Sequence, residues 1–553
     1  MKKIFLIAAV LVLVIVFAVP VSRRIISSFY TYDVLIKGGL VYDGSAAKPV
    51  VEDVGIKGDK IIAVGKTLAG SAQRTIDARG NIVTPGFVDV HTHCDLSFLM
   101  AGPARYLAYV VPAMKGNDNY LSQGVTTVVT GLCGAGYDNT GKWLGFVNSI
   151  KFGTNVYHLI PYGMLRAKLF GDNQPRILTA RQLETLKNMV AKEMQKGAIG
   201  VSVGLEYAPD CFTTTDELVE IAKVVNKYGG LYDAHIRDNT GTIHENGQPG
   251  TLIAIKETIE IAKRAKIPVH ISHIQLNRPW NNVQAKQMYG LIEEARREGV
   301  KITTDQHPYE AGIAILSYRL PDEFKTAMGV NPKYKDTEGK KKMQKAIKKV
   351  FAFLGPEKIM LVTGPEKYVN KTIKEIAGLE GKDPAEMYVD LVCMDPAPFA
   401  LFFEISDKVN REIMPHDYVF TASDGFTVLS PSMAWHPRFY GCFPRKIRKY
   451  ALEEKLISLN DAIRSMTSLP AAKFKMKGRG MIAAGNYADI LVIDLKKFRD
   501  RATYTNRALY SEGIDYLLVN GRLSIDHGKL TGKRGGQACP IRNKYAVHPG
   551  IHR

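Results

Sequence analysis

PGFVDVHTHCD, residues 85–95, is the stretch on which the fold turns. Phe87–Val90 is a short apolar run bounded by Pro85-Gly86, the pattern of a buried β-strand. His91-Thr92-His93 follows it directly. Side chains at i and i+2 of a strand share a face, so two imidazoles at this spacing can meet one metal ion. Two histidines can also be ordinary polar residues. What points to a site is their place at the C-terminal end of an apolar strand, where the active sites of parallel barrels lie.

Working outward, similar runs recur along the middle of the chain. They are TTVVTGLCG (126–134), AIGVSVGL (198–205), LYDAHIR (231–237), PVHISHI (268–274), KITTDQHPY (301–309), KIMLVTG (358–364) and YVFTASDG (418–425). Several are followed by stretches with helical apolar spacing, such as ELVEIAKVVNKYG (217–229) and KETIEIAKRAKI (256–267). A strand–helix alternation sustained this long predicts parallel strands joined by crossover helices, and about eight of them favour a closed (β/α)8 TIM-like barrel. The Lys-rich helical stretch 312–356 interrupts the alternation and is expected to be an inserted lid.

Both flanks read differently. DVLIKGGLVYDG (33–44), DVGIKGDKIIAVG (53–65) and QRTIDARGNIVTPG (73–86) alternate apolar and polar residues between Gly and Asp turns, as do GNYADILVID (485–494) and GIDYLLVNGRLSID (513–526). The expectation is a small β-sandwich domain assembled from both chain ends. The organisation is then a signal segment over 1–30, β portions over 31–84 and 479–553, and the barrel over 85–478.

The N-terminal segment carries Lys2-Lys3, an apolar run from Ile4 to Val21, and Arg23-Arg24. A span needs about 20 apolar residues, and a signal-peptide core about 7–15. An uncleaved membrane anchor is the first reading and a cleaved export signal the second, with the rest of the chain outside the cytoplasm. The net charge of +20 is spread along the chain without a nucleic-acid motif, so no nucleic-acid partner is expected. Six cysteines in 553 residues do not make a disulfide framework.

Further ligand-type residues stand at other strand ends: Cys133, His235, His270, His273 and Asp424. Thiolate, imidazole and carboxylate are the ordinary donors to zinc. Packing alone does not explain so many, because buried polar groups cost free energy unless paired. His270 and His273 differ by three and face opposite sides of a regular strand, so His273, nearer the C-terminal end, is the chosen candidate.

PGFVDVHTHCD, GVTTVVTGLCG (124–134), ISHI (271–274), TASDG (421–425), HPRFYGCFPR (436–445), MTSLPAAKF (466–474) and GNYADILVID (485–494) together resemble the amidohydrolase superfamily and, within it, the D-aminoacylase (N-acyl-D-amino-acid deacylase) family. The resemblance implies a zinc enzyme that cuts a linear amide to give a D-amino acid and a carboxylic acid. It implies that Cys133, His235 and His273 hold one tight zinc ion, and that His91 and His93 form a second, weaker site. Asp424 would face the metal and serve as general acid and base. Cys133 stands where hydantoinases and dihydroorotases carry a carboxylated lysine, and its thiolate brings its own charge.

The substrate carboxylate needs a cation, and Arg438 is the candidate because guanidinium binds carboxylate bidentately. Gln275 replaces a lysine common in the family, His307-Pro308-Tyr309 replaces a Tyr-Pro-Tyr, and Pro161-Tyr162 replaces a Gly-His. Gln275, His307 and Tyr309 are therefore expected around the substrate, and these departures leave its identity open. The alternatives are a hydantoinase-like cyclic amidase and a membrane-anchored barrel without catalysis.

Overall fold

The structure is a computed structural model that describes residues 30–239, 247–275, 282–326 and 329–541. The expected anchor, Ile4–Val21, lies outside the described residues, as does the tail 542–553. Among the described residues no helix is long and apolar enough to cross a membrane.

The middle of the chain is α/β. Phe87–Asp89, Val125–Thr130 and Asn155–His158 form one parallel three-stranded sheet. Ile160–Pro161, Gly200–Gly204, Leu231–His235, Val269–Ile271, Ile302–Gln306 and Val419–Thr421 form a second, six-stranded and parallel throughout. The two sheets touch at both ends. Residues 155–161 pair with the first sheet through Asn155–His158 and with the second through Ile160–Pro161. At the other side Thr92 bridges Gly425 in parallel sense, and His93 N donates to Gly425 O at 2.7 Å. The Gly200–Gly204 and Leu231–His235 strands are buried along their whole length, which is why they read as near-continuous apolar runs.

The connecting helices follow from capping and apolar spacing. Thr179 and Gln182 form a reciprocal capping box that starts Ala180–Gln195. Thr214 caps Thr215–Lys227, which buries Leu218, Ile221, Ala222 and Val225 against the strands.

Two expectations about strands are corrected. KIMLVTG does not join the parallel sheets: Ile359–Leu361 pairs antiparallel with Phe399–Phe402, which also pairs with Gly312–Ile315. The strand in its stead is Asn155–Pro161. It escapes pattern reading because Asn155, His158 and Pro161 break its apolar run. The inserted region is also larger than 312–356. It fills the connection from 307 to 418, with the three-stranded sheet just described and its own core around Leu316, Met343, Ile347 and Tyr388. The Lys-rich stretch is one helix within it, Thr337–Phe351, started by the Asp336 side chain.

The two chain ends do meet in one nine-stranded sheet. Ile82–Pro85 pairs antiparallel with Ile490–Ile493, and Lys60 makes an isolated antiparallel bridge with Tyr487. Arg74 and Asp526, 452 residues apart, make two parallel bonds of 2.7 and 2.9 Å across it. Ile36, Val54, Ile490 and Leu518 fill its interior. Ile82, Leu491 and Leu517 instead pack with Phe87, Val125 and Trp143, which ties this sheet to the start of the parallel strands.

The helix Arg438–Arg445 runs on into Lys446–Glu453 and carries the buried Lys446, whose Nζ donates to Ser465 Oγ at 2.8 Å. Burial pulls this ammonium down from 10.5 to about 7. Between those values the unfolded chain binds the proton and the native chain does not, so the penalty from Lys446 fades as pH rises through that window. Lys446→Met should therefore stabilise the protein by roughly 1–3 kcal/mol at pH 6, with the gain shrinking by pH 10. Denaturant unfolding at both pH values checks this, and a gain independent of pH would refute it.

Candidate metal centre and active-site cleft

The site lies where the parallel strands end. His235 is the last residue of its strand, whereas Cys133, His273 and Asp424 stand two or three residues beyond theirs. These last three have φ of +53°, +31° and +47°. Non-glycine residues rarely adopt such values, and they cluster at functional sites where the surroundings enforce them. The left-handed turn directs each side chain across the strand ends. His91 and His93 also lie past their strand, with His93 at the N-terminus of the helix Cys94–Met100.

Cys133 Sγ is 3.4 Å from His91 Nε2, 3.6 Å from His273 Nε2 and 3.7 Å from His235 Nδ1, and the last two nitrogens are 2.9 Å apart. Asp424 Oδ1 lies 3.1 Å from His93 Nε2 and 3.6 Å from His91 Nε2. Two ligand groups thus share His91: one with Cys133 and His273, the other with His93 and Asp424. Two nitrogens at a tetrahedral zinc stand about 3.3 Å apart, and nitrogen and sulfur about 3.6 Å, given ordinary bond lengths. The three nitrogen–sulfur separations match that set, while the 2.9 Å between the two nitrogens is shorter than it. Lone pairs of a thiolate and several imidazoles facing one point repel unless a cation or proton sits between them, so the donor set fits zinc.

Outer partners orient these groups. His235 Nε2 is 3.0 Å from Glu206 Oε2, which also accepts from Tyr318 OH at 3.0 Å. His273 Nδ1 is 3.2 Å from the Asn239 side-chain amide. Asp305 is fully buried: Oδ1 accepts from His273 N at 3.0 Å, and Oδ2 lies 2.8 Å from His270 Nε2 and 3.5 Å from His91 Nδ1. Burial pushes the Asp305 carboxyl up, but His91 and His270 outweigh it and hold it well down. Burial likewise raises the Cys133 thiol, and the imidazoles of His91, His235 and His273 overcome that and hold it far below the usual thiol range. A thiolate is the form that binds metal.

On the open side of this cluster, burial pushes the Asp424 carboxyl up, but the Arg438 guanidinium and the His93 hydrogen bond outweigh it and keep the group ionised. Arg438 Nη2 lies 2.9 Å from Asp424 Oδ2 and its Nη1 is 3.0 Å from His307 Nε2, while the buried Nε makes no hydrogen bond. Burial and the Arg438 charge hold His307 far below its usual pKa, so its Nε2 accepts from Arg438 as a neutral ring. A cleft opens next to these groups, bordered by Tyr207, Gln275, Ile313, Tyr318, Phe402 and Glu404.

The structure brings together His91, His93, Cys133, His235, His273 and Asp424, with Arg438 and Gln275 on the cleft. His307 stands behind Arg438. Tyr309 is a correction: it is buried away from the cleft, its hydroxyl donates to Asp500 at 3.3 Å, and the Arg445 guanidinium lies 4.8 Å above its ring. His270 is turned toward Thr303 and Asp305, as its spacing from His273 implied. Sequence reading missed Glu206, Asn239 and Asp305. Asp305 carried the available signal, a carboxylate at the end of the Ile302–Gln306 strand.

Residues 370–525 match the amidohydrolase family. The chain is 28% identical to the D-aminoacylase of Alcaligenes xylosoxydans xylosoxydans, covering 92% of this chain and 97% of that one. It superposes with a TM-score of 0.76 and 26% identity on a crystal structure of N-acyl-D-glutamate deacylase from Bordetella bronchiseptica, covering 92% of this chain and all of that one. That protein was solved with zinc and a phosphonate mimicking the tetrahedral intermediate of its reaction. A D-aminoacylase structure described as having a binuclear metal centre superposes with a TM-score of 0.75 and 27% identity over the same shares.

Glu206→Gln should lower zinc affinity about 10–100-fold while leaving the fold intact, because it removes the carboxylate behind His235. Competition with a chromogenic chelator measures this. Unchanged affinity would show that Glu206 does not support a ligand.

Proposed function

From the place of this chain among the amidohydrolases, similar over nearly all its length to D-aminoacylases, we propose that it is a zinc-dependent deacylase of N-acyl-D-amino acids. The observation that carries this reading is one cluster: a thiolate among three imidazoles, with Asp424 and Arg438 on the cleft side. The cysteine also favours a linear amide over the cyclic amides of hydantoinases, since no carboxylated lysine is needed to supply charge.

Cys133, His235 and His273 would hold the tighter ion, and His91, His93 and Asp424 would border a second position. When bound, zinc supplies Lewis acidity toward the scissile carbonyl and toward an attacking water. The rest of the chemistry belongs to the chain. Asp424 takes the proton of the attacking water on Oδ1 and delivers it to the leaving amine. Arg438, which borders the cleft, binds the substrate carboxylate. His307, as a neutral acceptor, fixes the guanidinium plane from behind.

The two parallel sheets are read as one closed (β/α)8 barrel. This is supported by the Thr92–Gly425 bridge and by residues 155–161, which pair with both. The sheet from the chain ends is read as a β-sandwich domain. The basic-flanked apolar run Ile4–Val21 supports an exported or membrane-anchored enzyme working outside the cytoplasm.

Protein lacking residues 1–30 should release amino acid from N-acetyl-D-amino acids and not from their L counterparts. Chelation should abolish release and zinc should restore it. Asp424→Asn should lower kcat about 10²–10⁴-fold with metal content retained. Release from the L series alone, or full activity after chelation, would overturn the proposal.

A further inference from the structure

The relatives named above differ in the amino acid they release, and the cleft of this chain bears on that choice. Resting on the deacylase reading, we infer that the cleft accepts neutral, apolar D side chains, and that the buried Arg319–Glu404 ion pair rejects acidic ones.

Half of the residues that border the cleft come from the inserted region, facing the half that come from the strand ends. Gly312, Ile313 and Ala314 lie on one strand of its small sheet and Phe402 on the neighbouring strand, with Tyr318 and Ile405 beside them. Tyr207 closes the wall from the barrel side, its ring 4.6 Å from that of His235. The Tyr318 hydroxyl is spent on Glu206, so the ring offers mainly its apolar faces. Ile313, Ala314, Phe402 and Ile405 form the part of this wall that binds by removing apolar area from water.

Charge sharpens the choice. Among the described residues bordering the cleft, Arg438 is the one lysine or arginine, and the α-carboxylate common to all N-acyl amino acids claims it. A second carboxylate, on the side chain, would need a second cation. Arg319 does not border the cleft; it is 8% exposed, with its Nη2 bonded to Glu404 Oε1. Glu404 borders the cleft and cancels that cation. An acidic substrate side chain would therefore face a carboxylate across a desolvated gap, an arrangement that binding sites use to exclude wrong partners. Burial opposes the Arg319 charge, but Glu404 outweighs it and keeps the guanidinium protonated, so the cation is present and masked.

The test is a panel of N-acetyl-D-leucine, -phenylalanine, -glutamate and -aspartate with the zinc-loaded enzyme, wild type and Glu404→Gln. The wild type is expected to favour the apolar pair by about 100-fold or more in kcat/KM. Glu404→Gln keeps the shape, unmasks Arg319 and should narrow that ratio at least about tenfold, through a gain on the acidic pair. A wild-type preference for the acidic pair, or an unchanged ratio in a folded variant, would overturn the inference. Should Glu404→Gln fail to fold, Ala314→Arg, which adds a cation to the wall, is expected to produce the same gain. Its absence would count against the apolar assignment.

Calorimetric binding of the same four compounds to zinc-loaded Asp424→Asn separates this inference from the deacylase reading. Preferred binding of the apolar pair without turnover by wild type would sink the deacylase reading and leave the pocket assignment standing. Turnover of all four at similar rates would do the reverse.

Discussion

The site depends on one buried carboxylate. Asp305 reaches three histidines on two segments at once: the backbone of His273, the ring of His270 and, at 3.5 Å, the ring of His91. A partner on the other ring nitrogen fixes which nitrogen of an imidazole faces a metal, and a carboxylate there also raises the basicity of the ligand. Asp305 can remain charged without water because the groups around it compensate it, the condition under which a buried ion is tolerated. Its hold on the His273 backbone nitrogen also helps explain how that residue keeps a positive φ after its strand has ended. The left-handed turns at Cys133 and Asp424 complete the same device, so short departures from regular strand geometry aim three ligand-type side chains inward.

Ligand chemistry was the part of this site most legible in the sequence. His91-Thr92-His93, Cys133, His235, His273 and Asp424 each combine a metal-ligand residue type with a strand-end position, and either property alone would have been weak. Glu206 and Asn239 carry no such joint signal, and Asp305, which has it, lies in a strand not searched for ligands. The roles of Glu206 and Asn239 exist only through contacts with residues tens of positions away, and one sequence with 54 acidic residues does not single them out. Tyr309 shows the opposite failure. It lies next to the strand that carries Asp305, yet the chain turns after Pro308 and buries its ring under Arg445. The architecture was legible to a similar degree. Alternation gave the parallel strands, but an apolar run inside the insertion passed for one of them, and Asn155–Pro161 was hidden by its polar residues. Periodicity distinguishes strand from helix, not which sheet a strand joins.

The insertion between Ile302–Gln306 and Val419–Thr421 divides the labour of the molecule. The candidate metal-binding side chains and Asp424 hang from the parallel strands, whose helices pack in one large core, while the cleft wall opposite them hangs from a separate core around Leu316, Met343 and Tyr388. Close-packed interiors transmit changes in side-chain volume to their neighbours, so two cores that share few residues can be altered nearly independently. Substitutions at Ile313, Phe402 or Ile405 therefore reshape the space beside the substrate while the distances among Cys133, His235 and His273 stay as they are. One chain of bonds across the divide runs to the ligand cluster among the described residues: Tyr318 to Glu206, and through Glu206 to His235. That chain makes Tyr318 the place where a change in the wall is felt at the metal, and it sets the limit on how freely the wall can vary without disturbing the chemistry.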